Sequence, residues 1–145
     1  MGEIVAVSCS PRKGIPKLPQ TQVLLVADHG IEGDRHAGSR TRQVSLLEHS
    51  VLHDLSSQGM PVDPGVLGEN LLVHGLPFDR LLPGDRLQIG DEILLEVVEP
   101  RTPCRQLTAV DPRLPAAIEG RAGLLCRVLE GGLLSPGTRI ECVTG

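Results

Sequence analysis

The 145 residues suffice for one domain with a single hydrophobic core, and 40% hydrophobic with 22% charged residues is typical of a globular protein. A net charge of −4 and a single aromatic residue, Phe78, argue against nucleic-acid binding, which uses a positive field and stacking rings. No apolar run is long enough to span a bilayer, and the first residues do not resemble a signal peptide. We therefore predict one cytoplasmic domain over residues 1–145, with no nucleic-acid or membrane partner.

The chain begins with a predicted strand from Glu3 to Ser8, which Ser10-Pro11 ends. A basic turn follows, in which Arg12 and both lysines of the chain surround Gly14. Because glycine has no Cβ, a ligand can approach the backbone closely there. Two interpretations stay open for this turn: an anion clamp that includes Lys13, or a solvated loop.

A second strand is predicted from Gln22 to Ala27, and a glycine-rich loop follows it. Long loops in compact domains are often functional, and this one carries side chains that bind anions or protons. Its candidate residues are Asp34, Arg35, His36, Arg40 and Arg42. We favour a binding loop over the alternative, a turn in which Asp34 and Arg35 form only structural salt bridges.

The next segment predicts a strand from Val44 to Leu47 and a helix from Glu48 to Gln58 that Gly59 ends. His49 and His53 are spaced i, i+4 on this helix, as in a zinc pair. The residue after the first histidine is serine, whereas the zinc protease pattern has glutamate there. A solvated histidine face is therefore favoured over a metal site.

Three further strands are predicted in the middle of the chain. Glu69 and Asn70 lead into a strand from Leu71 to Val73, and they could either fix a ligand or tie down the turn. A hairpin around Gly90-Asp91 then places Leu87 and Ile89 opposite the arm Ile93 to Val98.

The segment Val97 to Leu107, VVEPRTPCRQL, combines a strand end with a candidate reactive cysteine. Pro100 and Pro103 fix two φ angles and remove two backbone donors, so we expect the strand to stop near Glu99. Cys104 then lies at a rigid corner between Arg101 and Arg105, in positive potential that favours the thiolate form.

The last third predicts a helical turn from Gln106 to Val110, a short helix in DPRLPAAIEG, and a closing hairpin that joins GLLCRVLEGG to SPGTRIECV. About seven short strands and one clear helix without regular alternation favour a mainly β fold. We predict a closed or nearly closed β-barrel of mostly antiparallel strands with one or two short helices.

The four cysteines form no CxxC pair, so we expect free thiols rather than a zinc ribbon or a disulfide framework. Cys126 and Cys142 alternate with apolar residues at strand period and are predicted to lie in the core. Cys9 closes a strand beside the basic turn and stays ambiguous.

Taken together, these segments resemble the MOSC domain, named after the C-terminal part of molybdenum cofactor sulfurase. The resemblance rests on the Lys13-Gly14 turn, GIEGDRHAG leading to RQVSLLE, GEN at residues 68–70, PRTPC ending at Cys104, and the closing GLLCRVLEGG. These motifs follow in order over nearly the whole chain.

The resemblance implies a β-barrel that binds the pyranopterin molybdenum cofactor. It implies that Cys104 either carries sulfur as a persulfide or ligates molybdenum, and that cationic side chains contact the anionic cofactor. The residues carried over are Cys104 as catalytic residue and metal ligand, Lys13, Arg35, Arg42 and Arg101 as anion contacts, and Asp34, His36, Glu69 and Asn70 as shapers of the pocket.

Three functions are compatible with this resemblance. The first is a sulfur carrier for metal-sulfur cluster or cofactor maturation that acts without pyridoxal phosphate, because the chain lacks the desulfurase part of the sulfurases. The second is a molybdenum-dependent reductase of N-hydroxylated compounds. The third is a binding barrel without a cofactor. A lone MOSC domain implies a partner: a sulfur donor, an electron donor or a molybdoenzyme that accepts the cofactor.

Overall fold

The computed structural model describes residues 2–12 and 16–143, and its main feature is a closed barrel. Seven strands close the barrel in the order β1-β11-β7-β8-β9-β5-β6 and back to β1. Only the β5–β6 pair among these is parallel. The strands are β1 Gly2–Cys9, β2 Leu18–Gln20, β3 Val23–Val26, β4 Gly30–Ile31, β5 Val44–Glu48, β6 Leu71–His74, β7 Arg86–Ile89, β8 Ile93–Pro100, β9 Leu124–Glu130, β10 Gly132–Leu134 and β11 Arg139–Cys142. The predicted barrel of mostly antiparallel strands is confirmed.

Two short α-helices accompany the barrel, α1 at His49–Ser57 and α2 at Leu114–Ala117. Short 3-10 helices occur at Phe78–Arg80 and Arg105–Ala109. Helix α1 buries Val51, Leu52 and Leu55, the stripe expected from its apolar spacing. Among the described residues, no helix combines the length and the apolar composition needed to cross a membrane.

The apolar side chains form two packed clusters on opposite faces of the barrel wall. Alternate residues of β8, Ile93, Leu95 and Val97, belong to the cluster inside the barrel, as strand geometry requires. The second cluster packs α1 and α2 onto the outside and includes Leu55 and Leu114. Cys104 packs against this second cluster.

The predicted closing hairpin is wrong, because β9 pairs with β8 and β5 whereas β11 pairs with β7 and β1. Gly131 and Gly132, which were expected to join the two arms of this hairpin, instead lie beside β3. Gly131 lies so close to β3 that a Cβ would overlap the carbonyl oxygen of Leu25. The chain then pairs as β10 with β3 instead of turning back on β9.

The structure confirms that the cysteines are free thiols but corrects the location of one of them. Cys126 is fully buried in the barrel, as predicted. Cys142, by contrast, is exposed on β11, because alternation along a short strand does not reveal which face meets solvent.

Candidate functional site

The corner after β8 positions Cys104. The strand continues to Pro100, one residue beyond the expected end, and the backbone N–H of Arg101 donates to the carbonyl of Gly123 at 2.9 Å. Gly123 has φ +104°, and a Cβ there would overlap the carbonyl oxygen of Leu46, so the corner requires glycine. Cys104 is half-buried and begins the 3-10 helix Arg105–Ala109.

Arg101 reaches inward from this corner and is only 5% exposed. Its Nη2 donates to the carbonyl of Leu67 at 2.6 Å, while its buried Nε has no hydrogen-bond partner among the described residues. Burial, together with the charge of Arg42, lowers the pKa of Arg101 to about 10 against the opposing charges of Glu69 and Cys104. The side chain stays protonated at neutral pH.

Arg35 and Arg42 bring two more guanidinium groups to the same place. Both side chains are partly buried, and the Nε of each is buried without a partner among the described residues. Burial lowers the pKa of Arg42, the nearby charge of Arg35 lowers it further, and Cys104 opposes the shift. Arg35, Arg42, Arg101 and Cys104 therefore interact electrostatically as one group, which we call the basic cluster.

The basic cluster has the donors that an oxyanion needs. A buried N–H without a partner costs free energy. The basic cluster has three of them among the described residues, so an acceptor bound there would stabilise it. Guanidinium groups bind phosphate through paired N–H donors, and a thiolate binds soft metals. These residues thus fit a cofactor that carries both a phosphate and a thiophilic metal.

Asp34 anchors the loop that carries Arg35. Its carboxylate accepts hydrogen bonds from Lys17 Nζ at 2.7 Å, from the Ser10 backbone N–H at 3.0 Å and from the His36 backbone N–H at 3.2 Å. Burial alone would raise the pKa of Asp34, but its hydrogen bonds with His36 and Lys17 hold it well below the usual range. Asp34 is therefore an ionised structural anchor beside the cluster.

Lys17 is a residue of this site that the sequence analysis did not single out. It was assigned to the basic turn, yet its side chain is almost fully buried and paired with Asp34. Burial lowers its pKa, and the bond to Asp34 partly offsets that effect. No local pattern signals this, because the burial depends on a partner 17 residues away.

His36 completes the anchor with its imidazole Nδ1, which lies 3.1 Å from Lys17 Nζ. Because the lysine ammonium can only donate, Nδ1 accepts, and the neutral ring carries its proton on Nε2. Interaction with Asp34 would raise the pKa of His36, but burial and the charges of Lys17, Arg42 and Arg35 outweigh it and lower the pKa. His36 is thus neutral at physiological pH.

Asn70 ties strands together, which was one of the two alternatives for this residue. Its Oδ1 accepts from the Ser45 backbone N–H at 3.0 Å, and its Nδ2 donates to the Ser8 carbonyl at 3.1 Å. The side chain thereby links the starts of β5 and β6 to the end of β1. Its bonds are structural and leave the ligand contact carried over from the family a prediction.

Glu69 is buried beside Arg101 and is only partly satisfied. Its Oε2 accepts from the Gly65 backbone N–H at 2.7 Å, but Oε1 is buried without a partner among the described residues. Burial raises the pKa of Glu69 to about 7, against the opposing effects of the Gly65 hydrogen bond and the charge of Arg101. This carboxyl group can therefore gain or lose a proton near neutral pH.

Some predicted positions are exposed or fall outside the described residues. Lys13 and Gly14 fall outside the described residues, and Arg40 and Arg105 are exposed. The His49 ring packs edge-on to His74 with ring centroids 6.2 Å apart. Within residues 2–12 and 16–143, no group of three or more His, Cys, Asp or Glu side chains is placed to hold a metal ion.

The chain is similar in sequence to a known domain family and to two known proteins. The profile of the MOSC domain matches residues 33–141, which include the whole basic cluster. A Gibberella moniliformis protein named Reductase is 34% identical over 125 residues, and the Bacillus subtilis protein YflK, which is uncharacterised, is 30% identical over 142 residues. The matches cover 77% and 90% of this chain but only 22% and 63% of those proteins.

Solved structures share the barrel. YuaD of Bacillus subtilis superimposes with a TM-score of 0.82 and 23% identity, covering 97% of this chain and 94% of that one. YiiM of Geobacillus stearothermophilus also gives 0.82, with 26% identity over 99% of this chain and 76% of that one. The similarity to YuaD shows the fold alone.

Proposed function

This chain belongs to the MOSC domain family, and we propose that its basic cluster binds the molybdenum cofactor. The observation that carries the proposal is that three guanidinium groups and one half-buried cysteine interact electrostatically as one group, and each guanidinium has a buried Nε without a partner among the described residues. Such a group favours a ligand with an anionic oxygen and a metal. The family as a whole is associated with this cofactor.

In this proposal each side chain has one task. Arg35, Arg42 and Arg101 hold the phosphate and other anionic oxygens, with Lys13 as a further contact. Cys104 offers its thiolate to the metal, and the Lys17–Asp34 pair keeps the loop that carries Arg35 in place. When bound, the cofactor would supply the redox chemistry.

Reduction of a small oxidised substrate is the activity that we propose first. Its support is the relative named Reductase, which is 34% identical over 125 residues. N-hydroxylated compounds are the proposed substrates, and electrons would come from a separate protein. Because the chain spans only 22% of that relative, the electron donor could be a domain or a partner.

A sulfur carrier is the second candidate, and the placement of Cys104 is its support. Cys104 is half-buried just before the 3-10 helix Arg105–Ala109, so part of the residue is accessible to another protein. The Cys104 thiolate would attack the outer sulfur of a persulfide on a donor protein. That S–S bond would break, the donor cysteine would leave as a thiolate, and Cys104 would carry the persulfide sulfur to an acceptor molybdoenzyme.

Metal and pterin analysis of the full chain, expressed in a host that makes the cofactor, tests the binding proposal. We expect molybdenum and pterin in about equal amounts in the wild type. Arg101→Gln should lose both, because the anion contact is removed. Cys104→Ser should retain pterin better than molybdenum, because only the metal ligand is lost. Arg139→Gln, which removes a positive charge from an exposed position on β11, is the matched control and should resemble the wild type.

The two candidate activities separate in the same preparations. Reductase function predicts turnover of a hydroxylamine with an artificial electron donor, and this turnover should vanish in Cys104→Ser. Carrier function predicts instead a mass increment of one sulfur atom on Cys104 and no turnover. Wild-type protein without pterin, molybdenum or added sulfur would refute both and favour a barrel that binds no cofactor.

A further inference from the structure

A cavity of about 290 Å³ opens between α1, the 3-10 helix Phe78–Arg80 and the segment before β9. No residue of the basic cluster lines it. Pro100 and Gly123 do line it, and they flank the hydrogen bond that holds Arg101. The cavity is therefore a separate site next to the same corner of the fold.

The inner wall of this cavity is apolar. Val51, Leu81 and Leu124 contribute side chains that are nearly excluded from solvent, and Phe78 packs partly buried against the barrel core. Such a surface suits a hydrocarbon or an aromatic ring. A ligand pocket of this kind needs a few polar groups in addition, which fix the orientation of what binds.

The polar groups of the cavity lining belong to three charged residues, Arg121, Glu48 and Asp79, and their charges do not cancel. Arg121 is already neutralised, because its Nη1 lies 2.8 Å from Asp54 Oδ2 and its Nε donates to the Ala117 carbonyl at 2.9 Å. Within the described part of the chain, the Glu48 carboxylate accepts a single hydrogen bond, from the hydroxyl of Ser50.

Asp79 is the third charged residue of the cavity lining, and its carboxylate has no hydrogen bond or ion pair with any part of the chain that the structure describes. Together, Glu48 and Asp79 leave the cavity with an excess of negative charge.

We propose that this cavity binds a small organic cation, an ammonium or amidinium group on a short apolar body. The apolar wall would hold the body, and Asp79 with Glu48 would face the cation. At roughly 30 Å³ for each water-sized volume, the cavity accommodates about ten such volumes, which limits the ligand to a small molecule. An anion is disfavoured, because Arg121, the cation of the lining, already has a carboxylate partner.

Titration of the full chain, labelled with ¹⁵N, by benzylamine, benzyl alcohol and benzoate tests the proposal by amide chemical shifts. Benzylamine should shift the amides of residues 78–81 and 120–124, with a Kd on the order of 1 mM for so small a ligand. Benzyl alcohol should bind more weakly, and benzoate should leave these amides unchanged.

Variants that remove one charge then test whether Asp79 and Glu48 contribute to the affinity for benzylamine. Asp79→Asn should weaken benzylamine binding roughly threefold, and the double variant with Glu48→Gln about tenfold, as for ion pairs open to solvent. Asp91→Asn, which removes the same charge from an exposed turn elsewhere, is the matched control and should bind as the wild type does. Equal shifts with benzoate, or equal affinities of Asp79→Asn and Asp91→Asn, would overturn the proposal.

Discussion

Glu69 is the residue whose ionisation the fold opposes most clearly. Its side chain is 1% exposed, and only one of its two carboxylate oxygens has a hydrogen-bond donor among the described residues. Desolvation raises the pKa to about 7 from an ordinary value of 4.5, since it penalises the charged form. At a pH between these two values, the folded protein therefore binds a proton that the unfolded chain has released.

Glu69→Gln should remove a pH dependence of stability. Because the pKa is raised on folding, the contribution of Glu69 is fully present below pH 4.5 and is lost as the pH rises through about 7. Relative to the variant, wild type should lose about 3 kcal/mol of unfolding free energy across that window, because each tenfold change in proton affinity corresponds to about 1.4 kcal/mol. Urea unfolding at pH 5 and pH 8 measures this difference.

Glu99→Gln, at an exposed position on β8, is the matched control and should leave the pH dependence as in wild type. If the free energies of wild type and Glu69→Gln differ by the same amount at both pH values, the carboxyl group titrates alike in both states and the interpretation is wrong.

At the scale of elements, the corner between β8 and β9 decides where Arg101 and Cys104 lie. It depends on Gly123, which has φ +104° and lies in contact with the backbone of β5. Leu46 belongs to the barrel wall and pairs with Leu124, so its carbonyl cannot move without disturbing two strand pairs. The loop geometry of the site is thus set by the packing of the barrel.

Gly123→Ala should destabilise the protein by about 3 kcal/mol or more, because it adds an overlap with a backbone carbonyl to an unfavourable φ. Gly120→Ala is the matched control: Gly120 also has a positive φ, +78°, but a Cβ there would meet nothing within 4 Å. We expect it to cost only about 1 kcal/mol. Chemical denaturation of the two variants gives the comparison, and equal losses would show that the Leu46 contact is unimportant.

At the scale of the whole molecule, the chain is acidic, with a net charge of −4, yet it concentrates three arginines in one place. Burial is the main cause of the lowered pKa values of Arg42 and Arg101, and the charges of neighbouring arginines lower them further because like charges repel in the folded state. The buried Lys17–Asp34 ion pair opposes this repulsion by holding the loop that carries Arg35. An anion bound between the arginines would relieve the repulsion.

Inorganic phosphate should therefore raise the unfolding temperature more than chloride does at equal ionic strength. At a phosphate concentration ten times its Kd, linkage predicts about 1.4 kcal/mol of stabilisation, or roughly 3–6 °C for a domain of this size. Arg42→Gln should lose most of this increase, whereas Arg40→Gln, an exposed arginine in the same loop, should retain it. Equal effects of phosphate and chloride would argue against an anion site.

The local elements of this protein follow from the sequence alone. Alternating apolar residues predicted β8, the apolar stripe predicted α1, and two prolines predicted the corner before Cys104. These features depend on side-chain periodicity and on fixed φ angles, which are properties of short segments. The motifs in order also indicated the family and with it the barrel.

Which segments meet, by contrast, is a property of the tertiary structure. Strand β9 does not pair with β11, and Lys17 is buried against Asp34. The charges of Arg35 and Arg42 act on Arg101, although about 60 residues of the chain separate Arg42 from Arg101. Burial of Glu69 likewise follows from packing around it and not from its neighbours in sequence. Pairing, burial and charge interactions are long-range, so a local pattern cannot specify them, whereas a closed barrel brings distant loops to one place.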